Sequence, residues 1–260
     1  MNWFSSLLGH NRPLTNLENK NSIDIDNENV IAISCRADDV FRKQSLEDVV
    51  NFVDYLEIDC MDFCPNSAIK QLYIKNTCII ELYELFLEDP KTTAAPNMNG
   101  CMIIGRWIYD KTNDKYCVSM ETIVRPGSDA SCSEYEMDFG GMIKLSLRNK
   151  LHSLRNETNL QYDLTCWVHS NPGLGVFFSG ADCQLHNQLK NKTHPKFLTA
   201  IVIDTLTPKK ELGVFTFKNG NNDDVSINSR SELTKLYSLE EWFQWAIEKQ
   251  KLSTSFNEIL

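Results

Sequence analysis

The chain has 260 residues, 42% of them hydrophobic and 10% aromatic, enough to bury a sizeable core as a globular protein. Twenty-six basic against thirty-five acidic residues give a net charge of −9, which repels phosphate polyanions and anionic headgroups, so no nucleic-acid partner and no membrane association are expected. No apolar run reaches the roughly 20 residues of a membrane span, and the start, residues 1–8, is too short and lacks the basic lead of a signal peptide; a cytoplasmic protein is expected.

Residues 9–29 are dense in Asn, Asp and Glu and poor in large apolar side chains, so burial cannot offset their ordering entropy, and 1–29 read as a flexible lead-in. In 30–68, Val49, Val50, Val53 and Leu56 repeat at helical spacing, which predicts a small N-terminal element. Cys60 and Cys64 stand in the spacing of half a zinc site, but no second Cys or His pair follows at the distance such sites need. The nine cysteines are odd in number and lie mostly in apolar runs, the pattern of reduced, core-filling thiols.

Residues 69–88 carry Leu72, Ile79, Ile80, Leu82, Tyr83, Phe86 and Leu87 and stop at Asp89-Pro90, predicting an amphipathic helix over most of the run. Two β-rich runs, 100–109 and 116–124, flank a turn-like DKTNDK and predict a hairpin. After an acidic loop at 128–138, Phe139, Met142, Ile143, Leu147, Leu151 and Leu154 mark a helix over 139–155. A strand at 162–169, a Pro/Gly loop, a helix at 181–190 and strands at 197–204 and 212–218 complete an α/β layer around a shared sheet. Residues 219–260 read as a linker followed by an amphipathic helix. Its capping box is Ser238-x-x-Glu241, and Leu239, Trp242, Phe243, Ala246 and Ile247 form an apolar face expected to dock on the domain.

The most informative stretch is Trp167-Val-His-Ser-Asn-Pro-Gly-Leu-Gly-Val-Phe-Phe-Ser-Gly-Ala-Asp182. It resembles the signature of the JAMM/MPN (Mov34/PAD-1, JAB) family of zinc isopeptidases, His-x-His, seven residues, Ser, two residues, Asp, with a Glu far upstream. The resemblance covers 69–218 and implies an α/β (α+β) fold, a curved mixed sheet flanked by helices in a cytidine-deaminase-like architecture. It implies that His169 and Asp182 are zinc ligands and that Ser179 is the oxyanion donor. The spacing suits a metal: alternate strand residues share a face, so 169 and 171 point together, and the following helix carries Asp182 in as a third ligand.

Two positions depart from the pattern. Asn171 replaces the second His, and carboxamide is a weak donor to zinc. Counting back from the glycines that bound the first strand, the general-base Glu falls on Met98 or on Asn97, neither of which accepts a proton at neutral pH. His186, one helical turn after Asp182, and Glu121, on the second hairpin strand, are the candidate substitutes; the plainer expectations are a groove-lining histidine and a solvated glutamate. With two ligands and no base, the expected function is a non-catalytic or impaired JAMM/MPN-like protein, with weak or absent zinc, that binds a ubiquitin-like protein or a protein scaffold. The alternative is an active zinc isopeptidase whose atypical site is completed by Asn171 or His186.

Overall fold

The computed structural model describes residues 54–64, 67, 69–88, 97–110, 112–134, 136–190, 198–216 and 235–257. The expected lead-in at 1–29, the helical run through Val53 and the linker at 219–224 lie outside the described residues.

In chain order the elements are β1 (Tyr55–Asp59), a 3-10 turn (Cys60–Asp62), β2 (Ile69–Lys75), α1 (Asn76–Tyr83), running into a π-helical turn (Glu84–Glu88), β3 (Gly100–Gly105), β4 (Trp107–Asp110), β5 (Lys115–Met120) and β6 (Thr122–Val124). There follow a short pair β7 (Ser131–Cys132) and β8 (Met137–Asp138), then α2 (Met142–Thr158), β9 (Asp163–Ser170), α3 (Gly180–Lys190), β10 (Thr199–Ile203), β11 (Glu211–Phe215), β12 (Leu236–Ser238) and α4 (Leu239–Asn257).

Among the described residues, the strands other than the β7-β8 pair form two open sheets rather than the single shared sheet expected. One has the order β1-β2-β5-β4 and the other β12-β11-β10-β9-β3-β6. Both are mixed: β2 runs parallel to β5 and β9 parallel to β10, and the remaining pairs are antiparallel. The fold is thus mixed α/β, with helices flanking open mixed sheets.

The predicted hairpin divides between the sheets. Its tip, β4 and β5, belongs to the first, and its base, β3 and β6, to the second. The corner is at Arg106 and Glu121, where both runs leave strand geometry. Here Ser119 Oγ accepts from Arg106 N at 3.0 Å, and the Arg106 Nε donates to Glu121 Oε1 at 2.5 Å, with both side chains buried. Glu121 also accepts from Ser119 Oγ at 2.7 Å and from the Tyr162 hydroxyl at 3.3 Å. Gly105 allows the crossing: a Cβ there would lie 1.8 Å from the Ser119 carbonyl oxygen.

The helix expected over 69–88 begins only at Asn76. Residues 69–75 form β2, paired on one side with β1 and on the other with β5, so long-range pairing decides a run whose apolar residues fit either period. Leu56, expected on a helix, lies in β1 for the same reason.

Alternation along the central strands builds two cores. Cys166, Val168, Ile201 and Ile203 cluster with residues of α1 and α4, whereas Trp167, Ala200 and Val202 join the cluster that holds residues of α2 and α3, as does Leu164 beyond the irregularity in β3–β9 pairing. From α4, Leu239, Trp242 and Ala246 are buried in the first core, and Phe243 stacks on Tyr83 of α1 with ring centroids 3.8 Å apart. Ser238 begins the helix, accepting from Glu241 N at 3.2 Å. Among the described residues, no helix is long and apolar enough to cross a membrane.

Candidate functional site

The strand alternation that buries Trp167 beneath α3 also places His169 on that side, near the C-terminal end of β9. Its register neighbours are Val202 on β10 and Gly100 on β3. A side chain at position 100 would press on Met137 Sδ at 2.7 Å and on Phe139, so glycine lets these groups close over the strand beside the histidine. The Trp167 and His169 rings lie nearly parallel, centroids 5.1 Å apart.

From Ser170 the chain bends through Asn171 and the Pro-Gly-Leu-Gly turn into α3. Ser179 and Asp182 cap this helix reciprocally: Ser179 N donates to Asp182 Oδ2 at 2.5 Å, and Asp182 N to Ser179 Oγ at 3.1 Å. The remaining carboxylate oxygen, Oδ1, lies 3.4 Å from His169 Nε2. His169 and Asp182 therefore meet at one place, with Ser179 beside Asp182. Asn171 is buried beside them, its backbone N–H donating to Ile203 O at 2.8 Å and its carboxamide to Phe177 O at 3.4 Å.

Across the strand, Ser170 N donates to Asn99 O at 2.8 Å, and Asn99 N to Ser170 Oγ at 2.8 Å. Continuing that antiparallel register sets Met98 opposite Asn171, with Asn97 one residue further out. Met98 packs on the cluster that contains Trp167 and Phe178.

The two candidate substitutes are engaged elsewhere. His186 is buried, and its Nδ1 accepts from the Trp167 indole N–H at 3.2 Å, so this nitrogen carries no proton and its lone pair is occupied. Glu121 sits at the opposite end of β3: its N–H donates to Ile104 O, four residues from Gly100, or about 13 Å along a strand. The Arg106 ion pair holds its carboxylate, so it is a buried corner residue rather than a solvated strand glutamate.

Sequence reasoning missed Asp204. This buried carboxylate follows β10, and Oδ1 accepts from Gly173 N at 2.8 Å and Leu206 N at 3.0 Å, while Oδ2 accepts from Gly175 N at 2.9 Å. It fixes the glycine turn, whose Gly173 and Gly175 have φ of +72° and +90°, and so fixes the path from Asn171 to Ser179. Its partners on that turn are 29 and 31 residues away, beyond any local sequence signal.

His169 is 3% exposed, and neither ring nitrogen has a hydrogen bond of acceptable geometry. Burial pushes its pKa below the ordinary 6.5, opposed by the Asp182 charge and by Asn171. The folded state therefore holds the ring neutral while the unfolded chain takes up a proton below about pH 6.5, so stability falls as pH drops through that value. Urea titrations at pH 7.5 and 5.5 should show this loss, and His169→Phe should reduce it. An unchanged pH slope in that variant would assign the effect to other groups.

The donor set does not fit a catalytic zinc ion, which takes three protein ligands and a water. His169 and Asp182 supply two, and among the described residues no three His, Cys, Asp or Glu side chains are grouped to hold a metal. The nearby carboxylates, Asp182 and Asp204, are both engaged by backbone N–H groups. What the site offers is a buried neutral imidazole, a half-buried serine hydroxyl and a glycine turn held by Asp204. No protein-family model matches the chain, and no curated protein matches it in sequence.

Proposed function

We propose that the chain is a cytoplasmic JAMM/MPN-like protein that binds a ubiquitin-like protein or a protein scaffold without cleaving it. One observation carries the reading. His169 and Asp182 meet beside Ser179, while Asn171 stands in place of the second histidine of the resemblance and Met98 or Asn97 in place of its glutamate. A two-ligand site without a base lacks a polarised water and a group to carry its proton.

Zinc determination on chelator-free protein, paired with a cleavage assay on a ubiquitin-like fusion, tests it. The expected result is zinc well below one equivalent and no cleavage, with Asn171→His raising zinc content and still giving no cleavage. Stoichiometric zinc, with cleavage abolished by His169→Ala, would establish the second reading, an active isopeptidase. The observation favouring that reading is that neither buried His169 ring nitrogen has a hydrogen bond, while Nε2 faces the Asp182 carboxylate, which suits a metal ligand. In that case Asn171 is the third donor, since Trp167 occupies His186 Nδ1.

A further inference from the structure

A groove of about 590 Å³ lies beside α4. Tyr83 of α1 lines it, with Glu240, Glu241, Gln244, Trp245 and Glu248 of α4. At 100° per residue these five helix positions fall within one arc of about 140°. Leu239, Trp242 and Ala246, buried in the first core, point the other way.

Two chemistries meet in the groove. Trp245 is half-buried, so its ring is held by the core it packs against and still reaches the groove. Tyr83 is fixed by its stack on Phe243. Along the helix axis, Glu241 lies one turn before Trp245 and Glu248 one turn after it, both exposed and both neighbours of the indole on the helix surface. Among the described residues, Glu240, Glu241 and Glu248 take part in no ion pair, and Lys209 is the single cation that lines the groove. The net charge of −9 adds a long-range attraction for cations to this local one.

We infer that this groove is a docking site for a basic, arginine-bearing segment of a partner protein. A guanidinium is planar and weakly hydrated, so it stacks on the indole while its N–H groups donate to the neighbouring carboxylates. An uncharged or acidic segment would cover the three carboxylates without a counter-charge, which costs desolvation that nothing offsets. The groove belongs to α1 and α4, which pack on the opposite side of β9 from Trp167 and His169, so the inference stands apart from the function proposed above.

Fluorescence anisotropy on the full chain tests this with three labelled peptides of one flexible sequence, carrying two arginines, two citrullines or two glutamates. The arginine peptide should bind at least about tenfold more tightly than the citrulline peptide, which keeps the shape without the charge, and more weakly as salt is raised. Trp245→Ala leaves the net charge unchanged and should weaken arginine-peptide binding at least about fivefold. Glu241→Lys/Glu248→Lys should turn the preference to the glutamate peptide, a gain that misfolding cannot produce. The control Glu134→Lys/Glu136→Lys makes the same change in net charge at exposed positions before α2 and should keep the preference for arginine. Urea midpoints matching the unaltered protein establish that each variant is folded. Equal binding of the arginine and citrulline peptides, no effect of Trp245→Ala, or a reversal by the control as large as that by the groove variant would overturn the assignment.

Discussion

Gly105→Ala is expected to destabilise the protein by about 4 kcal/mol or more, the exceptional end of the range for single substitutions. The added methyl would sit 1.8 Å from the Ser119 carbonyl oxygen and 2.6 Å from its carbon, with Thr165 Oγ1 at 2.9 Å. The first two are main-chain atoms held in strand β5, so no rotamer change relieves the contact. Separation is possible only by opening the two sheets where the hairpin crosses between them. A urea midpoint falling at constant slope measures the loss. A loss below about 1 kcal/mol, the centre of the distribution for ordinary mutations, would mean that the strands do not approach this closely.

Glu121→Ala should destabilise by about 3–5 kcal/mol, because it leaves the Arg106 guanidinium buried without its counter-charge. The Tyr162 and Ser119 hydroxyls lose an acceptor at the same time. Removing both charges, as in Arg106→Met/Glu121→Leu, should recover much of the loss, since an uncompensated charge is worse than an apolar pair. The double-mutant cycle, read from urea midpoints of the four proteins, measures the coupling. If Glu121→Ala leaves stability intact, the corner is solvated and the ion pair plays no structural part.

Much of the order of elements was legible because it depends on local periodicity. The helix expected over 139–155 appears at Met142–Thr158, that over 181–190 at Gly180–Lys190, and the strand over 162–169 at Asp163–Ser170. What failed depends on partners distant in sequence. Residues 69–75 join a strand ladder with segments some 15 and 45 residues away, and the bend at Arg106 and Glu121 is set by a contact that neither run announces. In the site, the pairing of positions 169 and 182 is what the resemblance implies, and strand alternation with the following helix makes it physically possible. The engagement of His186 by Trp167, and of the glycine turn by Asp204, required the fold.

The reciprocal cap at the start of α3 bears on how such a sequence changes over generations. Serine and aspartate three apart satisfy two backbone N–H groups that would otherwise lack partners, and losing such a cap costs about 1 kcal/mol. Selection for folding alone is therefore enough to retain both residues, whatever else the site does. In this stretch, the presence of Ser179 and Asp182 is accounted for by what the helix needs. The cap makes no demand on positions 98 and 171, where Met98 packs on the second core and the Asn171 carboxamide donates to Phe177 O.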